Sequence, residues 1–278
     1  MKQYGDGRFR AKGVAALWRL YDELIAGIPP GLAVSSYNIA CRWTTVVAGK
    51  NTGIAHTTHG EGPGRLHRGP LTGMALRDAA ALSKSWNFLE ATLGVAALNA
   101  YYNSWDRVRA LPGFEEAGEP RDDIESRTEK NAFYAFRDEI AGKRVAIIGH
   151  FPHIEELIAP LCRLSILERD PVPGDYPDSA CEYILPEQDY VFITGMTLVN
   201  KTLPRLLQIC RDARVSLVGP TVPLSPVLFG HGADNLSGFV CTEPERLDEA
   251  IRRGCSMEIF AGGRMVSVDG PRSGRRPG

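Results

Sequence analysis

Residues 143–168 have the sequence KRVAIIGHFPHIEELIAPLCRLSILE. An apolar run over 145–148 ends at Gly149, Pro152 then opens a helix-like segment, and a second apolar run ends at Glu168, 19 residues after the glycine. This order is typical of a parallel-sheet nucleotide pocket, in which the first strand leads to a helix N-terminus and an acid at the tip of the second strand accepts ribose hydroxyls. The stretch therefore predicts where a ligand site lies without naming its chemistry.

The C-terminal half of the chain continues with alternating strand and helix patterns. Because helical segments separate the strands, the pattern predicts a parallel sheet with right-handed crossovers. The strands are almost continuous apolar runs, as in YVFIT over 190–194, which favours a sheet covered on both faces. The predicted strands are 144–148, 164–168, 190–194, 214–218 and 238–241, and the predicted helices cover about 153–162, 178–184, 201–212 and 244–253.

The N-terminal part predicts a smaller α+β domain. An amphipathic helix over 14–26 is followed by three short β-like runs, and two further helices are predicted over 74–83 and 87–101. Small residues on the last of these helices indicate close packing and favour a homodimer. The β-like runs are 32–39, 41–47 and 53–57.

A charged segment over 106–128, which holds two prolines and two glycines, is the best candidate for a linker. The predicted fold class is therefore α/β. It consists of an α+β front domain over 1–105, this linker, and a Rossmann-like ligand-binding domain over 129–278.

Composition excludes several classes of protein. The chain has 278 residues, of which 44% are hydrophobic and 23% charged, as expected for a soluble globular protein with a sizeable core. A net charge of −1 gives no general basic field, so neither nucleic acid nor a membrane surface is an expected partner. The six cysteines form no CxxC pair and indicate reduced thiols. No signal peptide and no 18-residue apolar run are evident, and a cytoplasmic location is expected.

Glycines and small hydroxyl residues follow four of the predicted strands. The carboxyl ends of parallel strands meet at one edge of a sheet, so we expect these residues to surround one small-molecule ligand. The predicted contact residues are Gly149, His150, Phe151, Pro152, Glu168, Thr194, Gly195, Asn200, Gly219, Pro220 and Thr221.

The residues around Gly149 favour an adenosyl ligand with a small charged tail. Gly149 allows close approach to the backbone, and Pro152 suits the first helical position, where free N–H groups attract an anion. Only one glycine is present, not GxGxxG, so S-adenosylmethionine is preferred over a dinucleotide as the cofactor. The alternatives are that Gly149 is a simple strand-to-helix turn and that Glu168 is a solvated charge at a strand end.

Three side chains are candidates for catalysis. His150 is the best acid/base candidate because imidazole titrates nearest neutral pH. Lys201 either balances a carboxylate or is an exposed charge. Asp175 either lines the pocket or stabilises a turn. Asn200 is either a pocket residue or a helix N-cap.

A metal site is a further hypothesis, without assigned ligands. His150 and His153 lie near a helix start, and His56 and His59 lie at the end of a front-domain strand, so that the two groups could meet across a domain interface. Otherwise His153 is a surface residue. Asn99, on a helix lined with Leu and Ala, either ties a loop or faces the cleft; a tie is favoured because a buried amide needs partners.

Three motifs of the back domain together resemble a Rossmann-like family labelled "putative heavy-metal chelation". They are VAIIGHFP over 145–152, TGMTLVNKTL over 194–203 and GPTVPLSP over 219–226. The segments GIA over 53–55, LTG over 71–73 and GVAALNA over 94–100 are similar to that family's front domain, which resembles the N-terminal domain of enolase.

The resemblance implies a cleft between two domains, and it carries no enolase chemistry because the catalytic barrel is absent. Thr221 departs from an expected serine, and His153 from an expected apolar residue, which weakens a metal role for His153. The leading hypothesis is an enzyme that uses S-adenosylmethionine to make or modify a small, plausibly metal-chelating metabolite. The alternatives are a non-catalytic metal or metal-chelate binding protein and a scaffold with an empty pocket.

Overall fold

The computed structural model describes residues 12–58, 62–65, 67–115, 133, 136–254 and 258–271. The elements form two units, each built around its own sheet. Of the helices in these ranges, none is both long and apolar enough to cross a membrane.

The front unit contains a three-stranded antiparallel sheet and three helices. The strands pair in the order β1-β2-β3, and β2 and β3 form a hairpin in which Ala48 lies opposite Asn51. The elements are α1 (Lys12–Ala26), β1 (Ser36–Ile39), β2 (Trp43–Ala48), β3 (Asn51–His56), α2 (Leu76–Ala81) and α3 (Phe88–Tyr102).

Helix α3 is the centre of the front unit, and it is buried on nearly every side. A helix with this pattern must be covered all round, which the sheet, α2 and the back unit together provide. Contact with the sheet is at backbone distance, because a Cβ atom on Gly53 would lie 2.0 Å from the Ala100 nitrogen. On another side, a Cβ on Gly94 would lie 1.9 Å from the Ser83 nitrogen.

The back unit is an eight-stranded sheet in the order β4-β11-β10-β9-β8-β5-β6-β7, parallel from β10 to β7. The strands are β4 (Phe114–Glu115), β5 (Arg144–Ile148), β6 (Arg163–Glu168), β7 (Tyr176–Pro177), β8 (Tyr190–Thr194), β9 (Arg214–Val218), β10 (Asn235–Cys241) and β11 (Gly263–Asp269). The α-helices are α4 (Trp105–Val108), α5 (Arg137–Ile140), α6 (Ile154–Ile158), α7 (Cys181–Ile184), α8 (Met196–Val199), α9 (Leu203–Ile209), α10 (Val227–Gly230) and α11 (Pro244–Arg252).

The predicted α/β class is confirmed, with a mostly parallel sheet behind a smaller antiparallel unit. The five predicted strands occur as β5, β6, β8, β9 and β10. The sequence analysis missed the antiparallel edge, where β11 pairs with β10 and β4 pairs with β11. Because all but the first residue of α4 and the whole of β4 lie within 106–128, the first part of the predicted linker is ordered structure. Residues 116–132 lie outside the described part of the chain, and the domain boundary stays a prediction.

The prediction that Pro152 occupies the first helical position is wrong. Helix α6 begins at Ile154, and its N-cap is His153, which has a left-handed backbone conformation with φ of 59°. This conformation interrupts the helical backbone before Ile154, so Pro152 lies in the preceding turn. Helix α6 has only five residues.

Candidate functional site

Three potential metal-ligating side chains meet beyond the carboxyl ends of β5 and β6. His150 follows β5, Glu155 lies in the first turn of α6, and Asp175 lies in the loop that leads to β7. The imidazole Nδ1 of His150 lies 2.9 Å from Oδ2 of Asp175, and its Nε2 lies 3.6 Å from Oε1 of Glu155. One ligand atom from each residue lies within 4.8 Å of the other two. We call these three residues the His150 cluster.

The side chain of Asp175 is the most protected group of the cluster, with only 2% of its surface exposed. Its Oδ2 also accepts a hydrogen bond from the backbone N–H of Val172 at 3.2 Å, which fixes the carboxylate against its own loop. Asp175 therefore fixes the Nδ1 edge of the imidazole. Two of the three predicted catalytic residues, His150 and Asp175, come together here, but whether they catalyse a reaction stays a prediction.

Glu168 joins the ends of β5 and β6. Its Oε2 accepts the backbone N–H of His150 at 2.8 Å, and its Oε1 accepts those of Arg169 and Asp170 at 2.7 and 3.3 Å. The backbone amide of His150, which the sequence analysis offered to an anionic ligand, is thus already bonded to a carboxylate. That part of the prediction is wrong, whereas a ribose-binding role for Glu168 stays a prediction.

The strand order reverses between β5 and β8, where doubly wound sheets bind their ligands. Phe151 lies over this position. A Cβ on Gly149 would be 3.5 Å from the Phe151 ring, and one on Gly219 would be 3.9 Å from it. Phe151 also packs edge-on against Phe133, with 4.9 Å between ring centroids. The predicted ligand residue Phe151 therefore covers the ends of β5 and β9.

Thr221 lies at the contact between the two units, and Gly195 packs within the back unit against the loop that carries Thr221. Both residues were predicted to form the floor of a ligand pocket. A Cβ on Gly195 would lie 2.7 Å from the Val222 nitrogen, so the loop after β9 packs directly on the end of β8. Thr221 is buried, and its Oγ1 accepts the backbone N–H of His56 at 3.0 Å. The Thr221 hydroxyl therefore bonds the front unit, and its role in a pocket floor stays a prediction.

Thr194 and Asn200 stabilise the backbone at the end of β8. Thr194 accepts the Thr197 hydroxyl through its carbonyl oxygen at 2.7 Å. The side-chain oxygen of Asn200 accepts the N–H and the hydroxyl of Thr202 at 3.1 and 2.7 Å. The N-cap of α9 is Thr202, so the alternative that Asn200 is a helix N-cap is wrong. The Asn200 side chain bonds within the turn instead. Pro220 is half-buried in the next loop.

Lys201 lies on the other side of this turn, under aromatic rings of the front unit. Its Nζ donates to the carbonyl oxygen of Val199 at 2.6 Å and lies 5.7 Å from the ring centroid of Phe88. Burial lowers the pKa of the Lys201 amine from 10.5 to about 8. Within the described residues, Lys201 makes no hydrogen bond or ion pair with the His150 cluster. The three predicted catalytic residues are therefore not all joined by direct hydrogen bonds or ion pairs in the described part of the chain.

The hypothesis of a metal site shared by two histidine groups is not supported. His153 is 77% exposed on its side chain and pairs with Glu156 at 3.5 Å, as expected for a surface residue. His56 packs edge-on against Trp43, and His59 lies outside the described residues. Glu155 was not predicted as a site residue. The sequence signal for Glu155 was an acidic residue five positions after His150. The first turn of α6 places its carboxylate 3.6 Å from the His150 Nε2.

Two sequence families match the chain, and both are described as "Putative heavy-metal chelation". One matches residues 131–268 and the other residues 21–102. The chain belongs to the putative heavy-metal chelation family. The family part of the resemblance is thus confirmed, while the likeness of the front domain to enolase stays a prediction.

The names of the similar proteins describe no reaction, and the two solved structures among them share the fold. A crystal structure from Desulfitobacterium hafniense, titled as a protein of unknown function, is 39% identical, with a TM-score of 0.79 over 92% of this chain and 99% of that chain. An uncharacterized protein of Methanocaldococcus jannaschii is 28% identical over 77% of this chain and 79% of its own length. A Pyrococcus horikoshii structure of unknown function, 23% identical with a TM-score of 0.72 over 91% of this chain and 99% of that chain, supports the fold alone.

Proposed function

We propose that the protein binds a transition-metal ion, or the small-molecule chelate of one, at the His150 cluster. The observation that carries the proposal is the approach of one imidazole and two carboxylates to within 4.8 Å. Imidazole and carboxylate ligands together suit Zn²⁺, Ni²⁺, Co²⁺ and Fe²⁺. The description of the family is consistent with this class of ligand.

The surroundings of the cluster fit a site that accepts a chelate. Three protein ligands leave coordination positions free for a water molecule or for donor atoms of a small molecule. Glu168 fixes the backbone of His150, and the loop amide of Val172 fixes Asp175, so two of the three ligands are held by a second layer of hydrogen bonds. Such outer contacts preserve the orientation of metal ligands.

Titration calorimetry of metal-free protein with Zn²⁺ and Co²⁺ tests the proposal. We expect one site per chain in the wild type, and a loss of affinity on the order of 100-fold in His150→Ala. His153→Ala is the matched control, because His153 lies three residues away with an exposed side chain and no place in the cluster. Equal affinities for wild type and His150→Ala would overturn the proposal.

A second candidate is an adenosyl ligand, with S-adenosylmethionine preferred, at the crossover between β5 and β8. It is favoured by the reversal of strand order at that position and by the carboxylate of Glu168 at the tip of β6. Phe151 would then have to move or stack against the base. Calorimetry with S-adenosylmethionine, its demethylated product, NAD and ATP tests this candidate, and no heat from any adenosyl compound rejects it.

A further inference from the structure

Lys201 has a backbone conformation that its residue type disfavours. It follows the C-cap of α8 with φ of 71°, and His153 is the other non-glycine residue with positive φ in the described part of the chain. The position after a helix C-cap commonly takes glycine or asparagine, because a Cβ is sterically disfavoured in the left-handed region. The local backbone conformation therefore does not explain a lysine at position 201, which leaves its side chain as the reason.

The amine of Lys201 lies beneath two aromatic rings supplied by the front unit. Its Nζ is 5.7 Å from the ring centroid of Phe88 and 6.0 Å from that of Trp86. Trp86 is 54% exposed, and Lys201 itself is half-buried, so the residue is in part accessible from the surface. Its one hydrogen bond within the described residues goes to the Val199 carbonyl.

The charged groups around Lys201 do not neutralise it. Within the described residues no carboxylate lies within ion-pair distance of its Nζ. The guanidinium of Arg169 lies 5.8 Å from the centroid of the same Phe88 ring, and Arg169 pairs with Asp178 at 3.7 Å. Behind Trp86, Lys84 is paired with Asp22 at 2.5 Å. The amine is thus desolvated without a counter-ion.

Desolvation without a counter-ion favours the neutral form of an amine. Burial is the cause that lowers the pKa of Lys201 to about 8, so near pH 8 about half of the molecules carry a free lone pair at Nζ. A neutral lysine amine close to the surface is the form that attacks carbonyl carbons.

We infer that Lys201 is a nucleophilic amine that forms a reversible imine with a small carbonyl compound bearing a carboxylate, and that Arg169 binds this carboxylate. The Nζ lone pair attacks the carbonyl carbon and forms the C–N bond, while the π electron pair moves to oxygen. A proton passes from nitrogen to that oxygen, the carbinolamine loses water, and a C=N bond remains. The step needs no oxidant or reductant, and it is independent of metal binding.

Reductive trapping on the intact protein tests this inference. Glyoxylate is the probe, and cyanoborohydride reduces the imine to a stable secondary amine that peptide mass mapping locates. We expect Lys201 to be labelled on the order of tenfold faster than the exposed Lys143, with a rate that rises between pH 7 and pH 9 about a midpoint near 8. Lys201→Arg removes the fast labelling, and Lys143→Arg leaves it unchanged.

Two further variants separate nucleophilic chemistry from simple accessibility. Phe88→Leu reduces the aromatic cover, so the midpoint of the pH profile moves upward. Arg169→Gln removes the preference for glyoxylate over acetaldehyde without removing reaction with acetaldehyde. Labelling of Lys201 no faster than that of Lys143 in the folded wild type would overturn the inference, and this readout needs no variant. Metal affinity in Lys201→Arg stays at the wild-type value, which distinguishes this site from the His150 cluster.

Discussion

The side-chain amide of Asn99 donates a hydrogen bond of 3.1 Å to the carbonyl oxygen of Thr221. Asn99 belongs to the buried helix α3 of the front unit, and Thr221 to the loop after β9 of the back unit. The same amide donates to the Ile54 carbonyl at 2.7 Å. One turn later, Asn103 bonds Val222, Leu224 and Phe239 of the back unit. The two asparagines therefore join the units through backbone groups, which explains why polar residues lie in an apolar helix.

Loss of the Asn99 amide is expected to destabilise the protein. Asn99→Ala leaves the carbonyl oxygens of Ile54 and Thr221 without this donor in a buried environment, which costs about 2 kcal/mol of unfolding free energy. Urea denaturation followed by circular dichroism measures the change. Gln208→Ala, at an exposed amide on α9, serves as the control and should stay within about 0.5 kcal/mol of wild type. Equal midpoints for both variants would contradict a bridging role for Asn99.

Close backbone packing around α3 gives a second prediction. Gly94→Ala places a methyl group 1.9 Å from the Ser83 nitrogen and 2.5 Å from the Leu82 carbonyl carbon, where rigid backbone has to move. We expect a loss of about 3 kcal/mol or more in unfolding free energy. Gly230→Ala is the matched control, because nothing lies within 4 Å of its added Cβ. A thermal melt of Gly94→Ala that coincides with that of Gly230→Ala contradicts the packing argument.

The strands of the back unit were predictable because their signal is local. The runs 145–148 and 190–194 are apolar, and each is followed by a glycine. Consecutive apolar residues indicate a strand that is buried on both faces of the sheet. The same reasoning predicted that His150, Glu168 and Asp175 lie near one another, since the ends of neighbouring parallel strands share an edge. In the structure, His150 hydrogen-bonds Glu168 through its backbone N–H and Asp175 through its imidazole.

The parts that were not predictable depend on contacts distant in sequence. Phe151 was expected to touch a ligand. In the structure its ring lies beside both Gly149 and Gly219, and so covers the ends of two strands that are distant in sequence. Thr221 was expected in a pocket floor, but its hydroxyl bonds His56, 165 residues away. Strand β11 has no sequence feature that identifies its neighbour, and its position at the sheet edge follows from antiparallel pairing with β10. No local pattern specifies such partners.

Asp175 is expected to control metal affinity at the His150 cluster. Asp175→Asn keeps the shape of the side chain but removes the negative charge beside His150 Nδ1, so we expect affinity for Zn²⁺ to fall by about 10- to 100-fold. Asp178→Asn is the control, because Asp178 is exposed and pairs only weakly with Arg169 at 3.7 Å. Competition with a chromogenic chelator measures both constants. Unchanged affinity in Asp175→Asn would contradict the assignment of Asp175 to the site.

Burial of Lys201 makes the stability of the protein depend on pH in alkaline solution. The pKa of Lys201 is about 8 in the folded protein, against 10.5 for an unperturbed lysine. Between these values the unfolded chain binds more protons than the folded one, so the contribution of Lys201 to stability rises with pH and is least favourable below pH 8. In Lys201→Met this contribution is absent. The stability of wild type relative to Lys201→Met should therefore increase from pH 8 to pH 10.5 and be constant below pH 7.

Urea denaturation at pH 7, 8, 9 and 10 measures this difference for the two proteins. Lys143→Met, at an exposed lysine, controls for the loss of one positive charge, and its stability curve should run parallel to that of wild type across the range. If the Lys201→Met curve is also parallel to wild type, the amine is solvated in the folded protein. In that case its neutral form is no more abundant near pH 8 than that of any surface lysine, and the basis for selective imine formation is removed as well. A rising difference together with fast glyoxylate labelling would instead trace both properties to the same cause, the cover that Phe88 and Trp86 place over the amine.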